Sequence, residues 1–436
     1  MDKKLIIKNI SIGMVMKPVS MFLSMMYIPI VLKFIGEERY GVWAIILNML
    51  TWINIFDIGI GNGLRNRLTE SCAAADYKAA QVYVSTAYIG TSILSAVFFI
   101  TINSAWSIFS LNQFFNMEIA GENVNAVIVI SIFFICVNFV LALNRTAAFA
   151  IQKSGVISIA GVFGQVIQVT AVFILSKAVT GNLMIIALVY GLVSLLDNIV
   201  LFVYLTKKNT YLVPKLRLAD MRYMKSMLSL GAGFFAMQIG AMVLNTTDNL
   251  LISRLFGSTE VIPYNMVYKI LNLFVTVHGI ILMPMWSAFT EASARNDIGW
   301  IRRNLKRMNL ITLLLAGGVV LGAFLFEPFA AIWLGKKLVY EKTLIVIAAA
   351  YMIIQMFANN YSSLLCGVGH IKGAAVIASS GAVLNIPISI IFAKYFQMGL
   401  SGVILGSFCI MLLSFIGLPI ISYRWMRDVE NRNEYV

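Results

Sequence analysis

The chain has 436 residues, 60% of them hydrophobic and only 12% charged, with a formal net charge of +14 and a mean hydropathy of +0.87. A soluble protein carries about a quarter charged residues. This composition therefore excludes a water-soluble enzyme or nucleic-acid-binding domain, and the positive charge calls for a topological explanation first.

Only helices and closed barrels cross a bilayer, because lipid offers the backbone no hydrogen bonds. The apolar runs reach ~20 residues or more without alternation, which selects helices. Twelve spans are expected, at 10–34, 40–62, 81–104, 123–145, 156–177, 184–206, 228–252, 262–288, 309–333, 343–366, 374–394 and 400–422. The first apolar run, behind Met1-Asp2-Lys3-Lys4, is too long for a cleaved signal peptide and reads as the first span. With the N-terminus inside, connections on the cytoplasmic side hold 23 Lys and Arg, and those on the outer side hold 8. The positive-inside rule then puts both termini in the cytoplasm. Trp43, Trp106 and Trp333 would mark the outer interface, and Trp286 and Trp425 the inner one.

The four cysteines, Cys72, Cys136, Cys366 and Cys409, are scattered, with no metal-ligand spacing. Cys72 is expected in a loop and the others in helices. No connection is long enough to fold as a soluble domain, and no Walker-type phosphate loop is present to hold a nucleotide. No cofactor is expected, so energy must come from an ion gradient, a substrate gradient or a partner.

The domain expectation is a six-helix bundle over 1–206, a basic cytoplasmic linker over 207–227 and a second six-helix bundle with a short tail over 228–436. The halves match at an offset of 221: Gly36 with Gly257, Thr69-Glu70 with Thr290-Glu291, Asp76 with Asp297, and Asp57 with His278. Lys17, Ser24 and Tyr27 fall on Gln238, Asn245 and Asp248. Six spans per half is an even number, so the two repeats share one orientation about an axis along the membrane normal.

Ionisable residues inside spans are functional candidates. At ~100° per residue, Thr51, Asn54, Asp57, Gly61 and Arg65 form one polar stripe on the second span. Lys17 lies in the first span beside Pro18, with Pro29 beyond. Each proline removes a helix hydrogen bond and could serve as a hinge or a static kink. Asp248 and Lys269, on neighbouring helices at similar depth, form either a structural ion pair or a responsive pair lining a cavity. His278 could titrate near neutral pH or be a packed, hydrogen-bonded histidine. Asp197, between Ser194 and Asn198, is either cavity-lining or structural. Glu327 reads as interfacial. Arg145, with Arg65 and Arg67, could form an inner cationic rim or merely express the positive-inside bias. A membrane glycosyltransferase or polymerase would need acids or Arg and His groups on a large outer loop. The largest such loop, 105–122, holds only Glu118 and Glu122 as ionisable groups.

Three motifs resemble a known family. They are Gly36-Glu37-Glu38-Arg39-Tyr40-Gly41-Val42-Trp43 with Asp57-Ile58-Gly59-Ile60-Gly61-Asn62-Gly63-Leu64-Arg65; Thr247-Asp248-Asn249 with Gly257 and Tyr264 through Lys269; and Gln152-Lys153-Ser154-Gly155. They are similar to Wzx-type polysaccharide flippases of the multidrug/oligosaccharidyl-lipid/polysaccharide exporter superfamily. In length, span number and repeat the likeness covers essentially the whole chain. The resemblance implies two six-helix bundles forming a V around a cavity that opens alternately to either face of a bacterial inner membrane. It implies a polyprenyl-pyrophosphate-linked O-antigen or capsule unit as substrate, with membrane lipid around it and polysaccharide polymerases as candidate partners. The residues assigned to substrate are Lys17, Arg145, Lys269, Arg65, Tyr27 and Asn245. Those assigned to H+ or Na+ coupling are Asp57, Asp197, Asp248 and His278. A cation-coupled multidrug antiporter of the same fold is the main alternative. A lipid II flippase, a glycosyltransferase and a non-transporting scaffold fit less well.

Overall fold

The computed structural model describes residues 3–36, 39–40, 42–43, 46–47, 59–109, 122–257, 260–329 and 341–434. Asp57 and most of the expected second span lie outside this set. The described chain is helical: α1 (Lys3–Ile35), α2 (Ile60–Ala73), α3 (Tyr77–Phe109), α4 (Val124–Leu141), α5 (Leu143–Ala150), α6 (Ser154–Ala178), α7 (Leu183–Lys208), α8 (Met221–Phe256), α9 (Val261–Ala294), α10 (Ile298–Phe324), α11 (Lys342–Gly367), α12 (Lys372–Ile390) and α13 (Gly399–Glu434). Among the described residues, ten helical stretches are long and apolar enough to cross a membrane, so the protein is a multi-pass membrane protein. The continuous helix α8 runs over the expected seventh span.

The chain divides into two compact units, Asp2–Gly231 and Ala232–Val436 with Met1, and the division falls inside α8. In the first unit α1 packs on α6, α4 on α7, and α2 on α3 and α5. In the second, α11 packs on α9, α10 and α13, and α12 packs on α13. Lipid tails are as apolar as leucine, so helix association here rests on close packing and internal polar contacts. One apolar cluster of the first unit joins Val31, Ile35, Trp43, Val127 and Ile186. Another joins Leu64, Leu68, Val84, Leu201 and Met227. The second unit centres on Leu271, Val319, Phe326, Met352 and Val403.

The repeat shows in the backbone of the turns. Gly36 and Gly257 both take positive φ, at 84° and 102°. Ala75 and Asn296, also 221 apart, sit at 56° and 55°. The following residues, Asp76 and Asp297, each donate their N–H five residues back, to Ser71 and Ala292, both at 2.9 Å. Each then caps the next helix, Asp76 Oδ1 accepting from Ala79 N at 3.0 Å and Asp297 Oδ1 from Trp300 N at 2.8 Å. At the opposite helix ends each unit has an acid tied to the start of its last helix. Glu122 accepts from Leu183 N at 3.3 Å and pairs with Arg39 at 2.7 Å. Glu341 accepts from Ser401 Oγ at 2.6 Å. A carboxylate at a helix N-terminus is stabilised by the helix dipole.

Several sequence expectations change. Arg302, Arg303, Lys306 and Arg307 belong to the first turns of α10, which starts well before the expected 309. Asp297 nucleates it, and Arg and Lys are good helix formers. For the same reason α8 begins at Met221, inside the expected linker. Cys72 lies on helix α2, not in a loop. Trp43 is fully buried, edge-on to Tyr190 at 5.6 Å, so it serves core packing and does not mark an interface. α1 runs unbroken through Pro18 and Pro29.

Gly59 starts α2 at φ 76°. A Cβ there would sit 2.1 Å from the Gly231 carbonyl oxygen of α8, so the position demands glycine twice over, for conformation and for backbone approach. Gly59→Ala is expected to lose about 1–3 kcal/mol. Gly161→Ala, where a Cβ meets nothing within 4 Å, should match or slightly exceed the parent. Thermal unfolding of the detergent-solubilised variants checks both.

Candidate functional site

In the first unit the polar cluster sits where α4 gives way to α5 at Ala142. The break turns Asn144 and Arg145 toward α7. Arg145 Nη2 lies 2.6 Å from Asp197 Oδ2, the aspartate side chain 8% exposed and the arginine 44%. Asp197 Oδ1 has no hydrogen-bond partner among the described residues. The next residue, Asn198, donates to Asn138 Oδ1 at 2.7 Å and to the Ser194 carbonyl at 3.1 Å. Its own carbonyl accepts from Asn144 at 3.3 Å, and the Tyr88 hydroxyl donates to Asn144 Oδ1. Four helices, α3, α4, α5 and α7, are thereby linked through side chains.

A cavity of about 180 Å³ opens beside this cluster, lined among others by Ser131, Asn138, Arg145, Tyr190, Ser194 and Asn198. It has room for several water molecules.

The second unit has two polar clusters. Asp248 is buried and accepts hydrogen bonds from Tyr264 Oη at 2.6 Å and from Ser407 Oγ at 3.0 Å. Asn385 donates to the same Ser407 oxygen at 2.8 Å, and Thr247 reaches Asn385 Oδ1 at 3.4 Å. The carboxylate thus has two hydroxyl donors. It forms no ion pair with Lys269, which is exposed on α9, so the ion pair considered from the sequence is replaced by a hydroxyl clasp from α9 and α13. About two and a half helical turns beyond Lys269 along α9, His278 is 2% exposed. Its Nε2 lies 3.0 Å from Asn360 Oδ1 and 3.1 Å from Thr312 Oγ1. Asn360 donates to Asn309 at 2.9 Å, and Asn309 donates to Tyr361 Oη at 2.9 Å. His278 Nδ1 has no hydrogen-bond partner among the described residues.

The remaining candidates are dispersed. Arg65 is buried on α2, its guanidinium 4.8 Å from the Phe149 ring centre. Arg67 pairs with Glu70 at 2.9 Å. Arg145, Arg65 and Arg67 each have a separate contact within the unit. Tyr27 is half-buried against the apolar core of the first unit. Lys17 is exposed, and among the described residues neither Lys17 nor Lys269 makes an ion pair. The side chain of Asn245 lies outside the described residues, as does Asp57. Sequence reading missed Asn138, Tyr190, Thr312, Asn360, Asn385 and Ser407. Each is a neutral polar residue inside an apolar span, a weak signal that becomes legible only when several converge.

Comparison with known proteins adds three findings. A family model described as polysaccharide biosynthesis protein matches residues 6–290. Curated relatives include a putative O-antigen transporter of Salmonella typhi, 24% identical and covering 89% of each chain, and a putative O-antigen export protein of Yersinia pseudotuberculosis, 23% identical and covering 84% of each. The fold is similar to that of solved MATE transporters. One in a bent conformation matches with a TM-score of 0.80 at 17% identity, covering 99% of this chain and 96% of that one. Another, an outward-facing multidrug resistance transporter of the MOP superfamily, matches with a TM-score of 0.78 at 16% identity, covering 98% and 97%.

Removing one member of the Arg145–Asp197 pair should cost unequally. Arg145→Gln leaves a buried carboxylate alone and is expected to lose about 1–2 kcal/mol, a value reduced by the exposure of the arginine. Asp197→Asn should cost less, and the double variant should recover part of the loss. Thermal unfolding of the three variants reads this as a double-mutant cycle.

Proposed function

We propose, from the premise that this chain belongs to the polysaccharide biosynthesis protein family, that it is a lipid-linked oligosaccharide flippase. Its substrate is an O-antigen or capsule repeat unit joined through pyrophosphate to a polyprenol, moved from the cytoplasmic to the outer leaflet of a bacterial inner membrane. In this reading twelve helices form two six-helix bundles that open alternately to the two faces, without bond chemistry. The names of the O-antigen relatives support the substrate class.

The observation that carries the reading is the state of the two membrane lysines. Lys17 and Lys269 are exposed within helices long and apolar enough to cross a membrane, and neither has a carboxylate partner among the described residues. A cation at membrane depth is costly unless it meets water or an anion. A pyrophosphate crossing the bilayer faces the opposite problem, a large desolvation cost without fixed cations. The two requirements complement each other, while the polyprenyl tail stays in lipid. Arg145 and Arg65 would add positive charge, and Tyr27 and Asn245 would contact sugar.

Asp248 and Asp197 are assigned to coupling with an H+ or Na+ gradient, together with His278 and Asp57. Asp248 is suited to exchange a proton because hydroxyls, not a cation, hold it. Asp197 keeps one carboxylate oxygen available beside the small polar cavity. A cation-coupled multidrug antiporter is the second reading, favoured by the likeness to MATE transporters. It requires acids facing a cationic drug, whereas Asp197 and Asp248 are nine-tenths or more buried and lysines are the exposed charges.

Sealed proteoliposomes bearing a pyrophosphate-linked polyprenyl oligosaccharide test the proposal through the sugar that becomes accessible on the opposite leaflet. Lys17→Ala and Lys269→Ala are each expected to slow flipping about tenfold at unchanged protein abundance, the loss of one charge-assisted contact. Asp248→Asn should remove acceleration by a pH or sodium gradient while leaving gradient-free movement. Absence of flipping, alongside gradient-driven efflux of an organic cation, would establish the antiporter reading instead.

A further inference from the structure

The stretch from Lys207 to Lys225, covering the end of α7, the connection and the start of α8, holds six Lys and Arg, yet it is not a loose tether. It is strapped along α3. Tyr211 packs on Tyr77 at 4.8 Å between ring centres. The Val213 carbonyl accepts from Gln81 at 3.1 Å. Lys215 N donates to Ser85 Oγ at 3.0 Å, and Asp220 N donates to Thr86 Oγ1 at 3.0 Å. Tyr223 packs on Tyr83 at 4.6 Å. Ser85 and Thr86 are themselves buried, at 0% and 3% exposure. The strap therefore has a fixed inner face, completed by Leu212, Met224 and Met227 in the core.

Its outer face is equally defined. Leu216 is 83% exposed and Met221 77% exposed, and Lys215, Arg217, Arg222 and Lys225 are exposed beside them. The one acid of the strap, Asp220, is neutralised by Arg222 at 2.7 Å. Leu216 between Lys215 and Arg217, and Met221 beside the neutralised Asp220–Arg222 pair, suit a membrane interface and not bulk water.

Depth supports the same conclusion. Ser85 lies roughly 12 Å along the helix from Tyr77, at 1.5 Å per residue, and Tyr77 begins a stretch long and apolar enough to span the bilayer. The polar layer on each side of a bilayer is about 5–8 Å thick. Residues pinned at the level of Ser85 and Thr86 thus reach the boundary between headgroups and acyl chains, on the face that the positive-inside rule assigns to the cytoplasm.

We propose that residues 215–222 form an interfacial anchor that binds anionic phospholipid headgroups of the cytoplasmic leaflet, with Leu216 and Met221 dipping into the acyl boundary and Lys215 and Arg217 on phosphate. An anchored strap gives the start of α8 a fixed height in the membrane.

The test uses the full chain in vesicles, with Cys72, Cys136, Cys366 and Cys409 replaced by alanine. Single spin labels are placed through Leu216→Cys, Met221→Cys, Lys208→Cys as the aqueous reference and Ile100→Cys as the hydrocarbon reference. Collision with oxygen is compared with collision with a polar nickel chelate. Labels at 216 and 221 are expected to read between the two references and to move toward the hydrocarbon value when phosphatidylglycerol replaces phosphatidylcholine. Adding Lys215→Gln with Arg217→Gln should abolish that lipid-dependent movement, since each charge is worth roughly fivefold in association with an anionic surface. Labels that match the Lys208 position in both vesicles, or show no difference between lipids, would overturn the anchor and leave an acidic soluble partner as the occupant of this face.

Discussion

A polar side chain inside a membrane bundle has no water to fall back on, so its partners must come from the protein. Each unit of this chain meets that requirement with its own internal set. In the first, Asn138, Asn144, Arg145, Asp197 and Asn198 tie α4, α5 and α7 together. In the second, Asp248 is held from α9 and α13, and His278 is held from α10 and α11. These contacts fix which helix faces which, because burial of apolar surface alone does not discriminate between a neighbouring helix and a lipid tail.

The two units share a scaffold and differ in chemistry. Paired turns repeat in φ, in hydrogen bonding and in helix capping at a spacing of 221 residues. Glu122 and Glu341 hold corresponding helix starts. The interiors have diverged, one holding an arginine–aspartate pair beside a small polar cavity, the other a hydroxyl-bound aspartate and a histidine–asparagine network. What matches between the units is what the backbone needs, namely turns and caps. The interior is open to change, since any closed set of donors and acceptors satisfies the packing requirement.

The proposed function uses this division of labour. Asp248 and the Arg145–Asp197 pair, which tie helices together, are partnered within the protein. Lys17 and Lys269 are not, among the described residues, and unsatisfied charge in a membrane helix is the property expected of a group that meets a mobile anion. The strap extends the same logic to the membrane surface, where its polar inner face is consumed by α3 and its basic, apolar outer face is left for the interface.

Composition and the length of apolar runs were enough to establish a multi-pass helical protein, because the bilayer permits few other solutions. The offset matches revealed the repeat, and the motifs from Gly36 to Arg65 and around Asp248 pointed to the polysaccharide exporters. Helix ends were less legible: the arginines of α10 read as a loop because charge was taken as a mark of solvent, yet Asp297 caps a helix through them. Partner choice was not legible at all. Asp248 and Lys269 suggested an ion pair by proximity along the chain, but Asp248 is met by two hydroxyls, one from Tyr264 on α9 and one from Ser407, 159 residues away. Helical periodicity tells which face of a helix a residue occupies. Only the packed bundle decides what that face meets, because the choice depends on rotation and depth of helices distant in sequence.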